Sequence, residues 1–73
     1  MDTTEFINKL SDLLQRDEPL EPDMILRDLP EWDSLAMLSI AGFFDAHLRR
    51  QLGFGDFAAM VTVADLMKAA GVE

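Results

Sequence analysis

The segment EWDSLAMLSIAGFF, residues 31–44, contains a serine whose neighbours suggest chemistry. Ser34 follows a tryptophan and an acid and opens a run of apolar residues. Three interpretations are open: it caps a helix, it is a catalytic nucleophile, or it is the attachment point for a group loaded onto it. The third is physically sound because a phosphate at a helix start meets unpaired backbone N–H groups and the positive end of the helix dipole.

The catalytic interpretation fails on geometry. A nucleophilic serine needs a base within hydrogen-bond reach, and the single histidine of the chain is His47, thirteen residues further on. On one helix this separation is roughly 20 Å, so Ser34 and His47 cannot pair within one chain. The sequence has no cysteine for a zinc cluster and no glycine-rich phosphate loop. We therefore expect neither an enzyme nor a metal site, and we expect His47 at the surface.

Two longer helices are predicted in the first two thirds of the chain. Apolar residues recur at helical spacing from Phe6 to Leu14, which predicts helix 1 over about residues 4–15. The second helix is predicted over about residues 34–52, where Gly53 stops it. Its start follows from two consecutive residues, an aspartate and a serine, that are both preferred at helix N-caps.

A long acidic loop, residues 16–33, separates these two helices. It contains all three prolines, which forbid a continuous helix, and seven acidic residues. Its apolar residues should pin it to the core. Trp32 is expected to anchor the end of the loop against the helices, and direct contact with a partner is the alternative.

The last part of the chain predicts two further helices, a short third one at about residues 56–60 and a fourth at about 62–70. No stretch alternates strictly enough to indicate a strand. The predicted fold class is therefore all-α: a single domain over residues 1–73, built as a small four-helix bundle with three longer helices and one short third helix.

The side chains of the second helix sort into two halves at about 100° per residue. One half is apolar and should face the core: Ala36, Met37, Ile40, Ala41, Phe43, Phe44 and Leu48. The other half is mostly polar but includes Leu35 and Leu38, one and four residues after Ser34. Exposed beside a helix start, these leucines would form a small apolar docking surface, and the alternative is that they pack under the long loop.

Composition limits the partners and the location. The chain carries fourteen acids against six bases, a formal charge of −8, which repels the phosphates of nucleic acid and of anionic lipids. No apolar run approaches the roughly 20 residues that span a bilayer, and the N-terminal segment lacks the basic residues of a signal peptide. We expect a cytoplasmic monomer that neither binds nucleic acid nor inserts into membranes.

The residues DSL at 33–35, which open an apolar helix after a long acidic loop, and TVADL at 62–66 resemble acyl carrier proteins and the related carrier domains of peptide and polyketide assembly lines. The resemblance covers residues 4–70. DSL alone is a weak motif, but its combination with chain length, helix order and acidity is specific. The form LPEWDSLA is similar to a subset of freestanding carriers rather than to the bulk fatty-acid type, which usually has a glycine before the aspartate.

The resemblance implies a function. A phosphopantetheinyl transferase would move 4′-phosphopantetheine from coenzyme A to the hydroxyl of Ser34, and Asp33 would serve the transferase site. Acyl or aminoacyl groups would then travel as thioesters on the terminal thiol of this covalent cofactor. They would be supplied and used by an activating ligase and by acyltransferase or synthase enzymes. The resemblance also implies a partner surface, which comprises Leu35, Leu38, Gly42 and Asp45.

Departures from the family pattern favour a dedicated biosynthetic pathway over bulk fatty-acid synthesis. Where fatty-acid carriers usually place acids along the second helix, this chain has Ser39 and, later, Arg49 and Arg50. Gly42 also replaces a usually larger side chain at the contact. Because charges at the rim of an interface mainly set association rate and partner choice, docking to ordinary fatty-acid synthases should be weak.

Family members fold a fatty chain between helices two, three and four. The matching positions here are Met37, Ile40, Ala41, Phe44, Leu52, Phe57, Met60 and Leu66. Methionine and alanine favour an opening, whereas the bulky Phe43 and Phe44 favour a filled core. We therefore expect a filled core and a short or polar load.

Two alternatives remain open. The first is a peptidyl or aminoacyl carrier of a nonribosomal-type pathway. The second is a non-carrier helical module that binds a partner through Leu35 and Leu38. Loading of Ser34 by a transferase separates the carriers from the binding module, because only the carriers need the serine hydroxyl.

Overall fold

The first helix is built on an apolar stripe with a polar cap. The structure, a computed structural model, describes residues 1–72, and in it α1 spans Thr3–Leu13. Asp2 precedes the helix in an extended conformation, and its carboxylate accepts a 2.8 Å hydrogen bond from a backbone N–H of the first turn. Phe6 and Leu10 of the inward face are fully buried. The helix starts one residue earlier and ends two residues earlier than the spacing predicts.

The chain between α1 and the next long helix is fixed to the core. The buried hydroxyl of Ser11 donates to the carbonyl of Ile7 at 2.9 Å and accepts the N–H of Leu20 at 3.3 Å. A turn of 3₁₀-helix covers Leu26–Asp28. Three leucines of the segment are buried among the helices: Leu20, Leu26 and Leu29. The expectation that the apolar residues of the loop are pinned to the core thus holds for these leucines but not for Ile25, which is exposed.

Backbone hydrogen bonds join this segment to the residues at the start of the last helix. The N–H of Leu26 donates to the carbonyl of Val61 at 2.9 Å, and the N–H of Val63 donates to the carbonyl of Met24 at 3.0 Å. Between them, one isolated antiparallel bridge pairs Ile25 with Thr62. Two segments far apart in sequence are held in register without forming a sheet.

The second helix ends earlier than predicted. Helix α2 spans Ser34–Phe43 and continues as a π-helical segment, Phe44–Leu48. Arg49 then adopts the left-handed conformation, with φ 55° and ψ 40°, and its N–H bonds to the carbonyl of Phe44. The prediction that the helix runs to residue 52 and is stopped by Gly53 is therefore wrong. A non-glycine residue in the left-handed region terminates it instead, which the residue type does not signal.

Two short helices complete the chain. Helix α3 spans Phe54–Ala59 rather than residues 56–60, because Gly53 is its N-cap and not the terminator of α2. Helix α4 spans Val63–Ala70, one residue shorter than predicted, and ends at Gly71, whose φ of 77° suits a residue without Cβ. In both helices an aspartate of the first turn accepts the N–H of the capping residue.

The all-helical class is confirmed: residues 1–72 contain four α-helices and no strand. The radius of gyration of 10.9 Å matches the roughly 11 Å of a compact chain of this length. At the centre of the core, Phe44 meets Phe6 edge to face, with their ring centroids 6.0 Å apart. In the part of the chain that the structure describes, no helix has the length and apolar character needed to cross a membrane.

Candidate functional site

Ser34 is the first residue of α2, and the cap of this helix is the residue before it. Asp33 lies in an extended conformation, and its Oδ1 accepts the N–H of Ala36 at 2.8 Å. Ser34 is exposed, and its hydroxyl makes no hydrogen bond within residues 1–72. The sequence left open which of the two residues caps the helix. The structure assigns this role to Asp33, so the hydroxyl of Ser34 remains available for chemistry.

Two backbone N–H groups stand unpaired beside this hydroxyl. Those of Ser34 and Leu35 donate no hydrogen bond to any described residue, as expected for the first turn of a helix. They supply, with the helix dipole, a favourable environment for an anion attached to Ser34. Site geometry and local electrostatics therefore fit a phosphodiester at this position.

Contacts on both sides of the loop hold the start of α2 in place. Trp32 is half-buried and meets the ring of Phe57 in α3 edge to face, with the centroids 6.1 Å apart. One residue earlier, Glu31 forms an ion pair of 2.9 Å with Arg16, which follows α1. Trp32 therefore anchors the loop, and the segment before Ser34 is tied both to the end of α1 and to α3.

The predicted partner residues lie on the open side of α2. Leu35 and Leu38 are 71% and 69% exposed, so neither packs under the loop. Gly42 and Asp45 are exposed further along the same helix and its π-helical continuation. A Cβ added at Gly42 would meet nothing within 4 Å. The structure leaves all four positions accessible to another molecule, and their role in binding a partner stays a prediction.

Two exposed apolar residues were missed in the sequence, and one of them, Phe54, extends this surface. Phe54 is 75% exposed, and it lines a groove of about 120 Å³ together with Leu38 and Leu52. Val61 is exposed near the start of α4. Phe54 lies between two glycines in a short segment of weak periodicity, so no amphipathic pattern indicates which way its side chain points.

The eight residues assigned to an acyl pocket do not surround one cavity. Ile40, Phe44 and Leu66 are fully buried in the core and line neither of the two surface grooves to which Met37 contributes. Four others line the small groove: Met37, Ala41, Leu52 and Phe57. Met60 lines a larger open groove of about 470 Å³, to which Met37 and Phe57 also contribute. A chain attached to Ser34 would meet surface grooves between α2 and α3 rather than an enclosed pocket.

The remaining candidate for chemistry, His47, is remote from the serine. It is exposed in the π-helical segment, as expected, and its ring packs on Phe43 with the centroids 5.3 Å apart. The ammonium of Lys9 lies 5.8 Å from the centroid of the same phenyl ring. No group of carboxylates and histidines able to hold a metal ion occurs among residues 1–72.

Charge divides the surface around the site. Six of the seven acids of the loop are exposed, and the seventh, Glu31, is half-buried in its ion pair; the exposed ones are Asp17, Glu18, Glu21, Asp23, Asp28 and Asp33. Asp65 lies at the start of α4, where the N–H groups of Val61, at 2.7 Å, and Thr62, at 3.0 Å, lower the pKa of its carboxyl below the ordinary value. The negative field therefore lies mainly on the loop that leads to Ser34 and only weakly on α2.

Comparison with protein-family models, with curated proteins and with solved structures finds no match for this chain.

Proposed function

We propose that this chain is a carrier protein, not itself an enzyme, that holds acyl or aminoacyl intermediates as thioesters on 4′-phosphopantetheine attached to Ser34. The observation that carries the proposal is the setting of the Ser34 hydroxyl, which is exposed at the first residue of α2 while Asp33 caps the helix. The resemblance of the residues around it to acyl carrier proteins supplies the chemistry.

The residues at the helix start suit the group that would be attached. In the loading step, Ser34 Oγ attacks the phosphorus of coenzyme A that bears pantetheine. A new P–O bond forms, the bond to adenosine 3′,5′-bisphosphate breaks, and the serine proton passes to a base of the transferase. The phosphodiester then faces the unpaired N–H groups of Ser34 and Leu35. The attached group supplies a terminal thiol, which a chain without cysteine lacks.

The fold proposed for the domain is a four-helix bundle with a long loop between helices 1 and 2. The protein would act as a cytoplasmic monomer. Its partners would be a phosphopantetheinyl transferase, an acyl- or aminoacyl-activating ligase, and acyltransferase or synthase enzymes. Tethering raises the effective concentration of an intermediate at each of these active sites. No acid lies on α2, and the first one after Ser34 is Asp45 in the π-helical continuation, which favours a dedicated pathway over bulk fatty-acid synthesis.

Incubation with coenzyme A and a promiscuous transferase tests the proposal. Intact-mass spectrometry should show the addition of one phosphopantetheine group to the wild-type chain and none to Ser34→Ala. The matched control is Ser39→Ala, which changes a partly buried serine on the next turn of the same helix and should be modified as well as wild type. A chain that stays unmodified with every transferase tried, or a Ser34→Ala variant that is modified, would overturn the proposal.

A second candidate function follows from the exposed leucines. A module that binds a partner helix would use Leu35, Leu38 and Phe54, three large apolar side chains that are mostly exposed. Such a module does not need the serine. Partner binding that survives Ser34→Ala but is lost in Leu38→Ala, in a chain that no transferase loads, would favour this function over the carrier.

A further inference from the structure

The groove of about 470 Å³ begins next to the proposed attachment site. Its walls include Trp32, two residues before Ser34, and Met37, three residues after it. Residues three apart on a helix lie on the same side, so Met37 is on the turn directly above the serine. Phe57 of α3 forms the opposite wall. Ser34 itself does not line the groove, so a load would enter it with the arm folded back past Met37.

One charged residue lines this otherwise apolar groove. Arg27, in the 3₁₀ turn, is exposed, and its guanidinium forms no hydrogen bond or ion pair with any of residues 1–72. Arg16 is different, because it pairs with Glu31 at 2.9 Å. Five of the six Lys and Arg residues, among them the exposed Arg49, form no ion pair with the described residues, and of these five only Arg27 lines the groove.

The chemistry of a guanidinium specifies what it would bind. Its planar set of N–H donors matches a carboxylate or a phosphate, often through two parallel hydrogen bonds. The phosphodiester of the tether would lie at the start of α2, where the N–H groups of Ser34 and Leu35 are unpaired. Arg27 is then available to bind the far end of the attached load.

We infer that the load is a short acyl chain that ends in a carboxylate. Its methylene groups lie against Trp32, Met37 and Phe57, and its terminal carboxylate pairs with Arg27. This inference rests on the proposed carrier function and names the class of substrate for that site. A load that ends in an ammonium group is disfavoured at this site, because the same arginine repels it.

The test compares loads that differ at one end. A promiscuous transferase attaches adipyl, hexanoyl or 6-aminohexanoyl pantetheine from the coenzyme A thioesters, and intact mass verifies each product. The side-chain ¹⁵N–¹H signals of Arg27 and Trp32 are then recorded. The adipyl load should shift both signals, the hexanoyl load should shift that of Trp32 alone, and the ammonium-ended load should leave Arg27 unchanged. Added salt should weaken the adipyl effect on Arg27.

Variants supply the control. In Arg27→Gln the ratio of groove-bound to free adipyl arm, read from the Trp32 shift, should fall by up to about fivefold, the range measured for exposed ion pairs. Arg49→Gln removes an exposed arginine that does not line the groove and should leave the ratio unchanged. Circular dichroism verifies that both variants fold.

The outcomes distinguish this inference from the function on which it rests. If no load attaches to Ser34, the carrier function fails. If the loads attach but adipyl and hexanoyl affect Arg27 equally, the carrier function stands and the carboxylate-ended load is refuted. A shift of Arg27 already present with the unloaded arm would also refute it, because the arginine would then pair with the phosphodiester.

Discussion

The carboxylate of Asp33 accepts a 2.8 Å hydrogen bond from the backbone N–H of Ala36, and this bond caps α2 without using Ser34. The two neighbouring residues thus have separate roles. The carboxylate of Asp33 accepts an otherwise unpaired N–H group of the first turn, and Ser34 exposes its hydroxyl. Since the carboxylate also carries a charge beside the site, substitutions at Asp33 can separate its structural task from the one proposed at the transferase.

Replacement of Asp33 by alanine should lower the free energy of unfolding by about 1 kcal/mol, because the N–H of Ala36 loses its acceptor. Asp33→Asn keeps an oxygen acceptor at the cap and should stay within about 0.5 kcal/mol of wild type. If the charge serves the transferase, both variants should be modified more slowly than wild type. Urea unfolding and the rate of phosphopantetheine transfer measure the two effects. Transfer to Asp33→Asn at the wild-type rate would contradict the role at the transferase.

The ion pair of Arg16 with Glu31 should contribute about 0.5–1 kcal/mol to stability, because the side chains are 13% and 31% exposed and are only partly screened by solvent. The pair joins the residue after α1 to the segment before Ser34. A double-mutant cycle with Arg16→Met and Glu31→Gln, followed by urea unfolding, isolates the coupling energy. High salt should reduce it. A coupling energy near zero at low salt would mean that packing of Trp32 alone holds the loop end.

Asp65 should make the stability of the chain depend on pH. Hydrogen bonds from the N–H groups of Val61 and Thr62 lower the pKa of its carboxyl in the folded chain, whereas in the unfolded chain the pKa is about 3.9. The stabilisation is therefore fully present above the unfolded value and is lost as the pH falls through the folded value. Wild type should be more stable than Asp65→Asn at neutral pH, and the difference should close as the pH falls below about 4.

Urea unfolding of both chains over a pH series measures this difference. The control is Asp23→Asn, which changes an exposed carboxylate that accepts no hydrogen bond from the described residues and should stay within about 0.5 kcal/mol of wild type. A gap between wild type and Asp65→Asn that stays constant down to acidic pH would show that the charge of Asp65 is not what stabilises the start of α4.

The start of α2 could be predicted from the sequence because local residue types determine it. Asp33 is a strong capping residue, and the apolar run after it has helical spacing. The end of α2 could not, since it depends on Arg49 in the left-handed region, a conformation that residue type does not favour. Gly53 looked like a terminator, but it is the N-cap of α3, where its N–H donates to the carboxylate of Asp56.

The candidate site was predicted in part for a similar reason. The solvent side of α2 follows from helix geometry, so the exposure of Leu35 and Leu38 could be predicted. Arg27 as part of a groove could not, because the groove forms only when the 3₁₀ turn meets α3 across more than twenty residues of intervening sequence. Periodicity within one element carries no information about such a meeting.

Gly42 offers a substitution that should stabilise the chain. It lies near the end of α2 with an ordinary helical φ, and an added Cβ would meet nothing within 4 Å. Gly42→Ala should therefore raise the free energy of unfolding by about 0.5–1 kcal/mol, because glycine loses more backbone entropy than alanine in a helix. Thermal unfolding measures the gain. A loss of stability would indicate that the added methyl group disturbs the π-helical segment that follows.

Leu38 should matter for partners and not for folding. Because its side chain is 69% exposed, Leu38→Ala removes little buried area and should change the free energy of unfolding by less than about 0.5 kcal/mol. If the surface formed with Leu35 and Phe54 docks the transferase, kcat/KM for loading should fall by about tenfold, the equivalent of roughly 1.4 kcal/mol of contact energy. The matched control, Asn8→Ala on the exposed side of α1, should alter neither quantity. Equal loading of Leu38→Ala and wild type would place transferase docking elsewhere, with the acidic loop before Ser34 as the next surface to test.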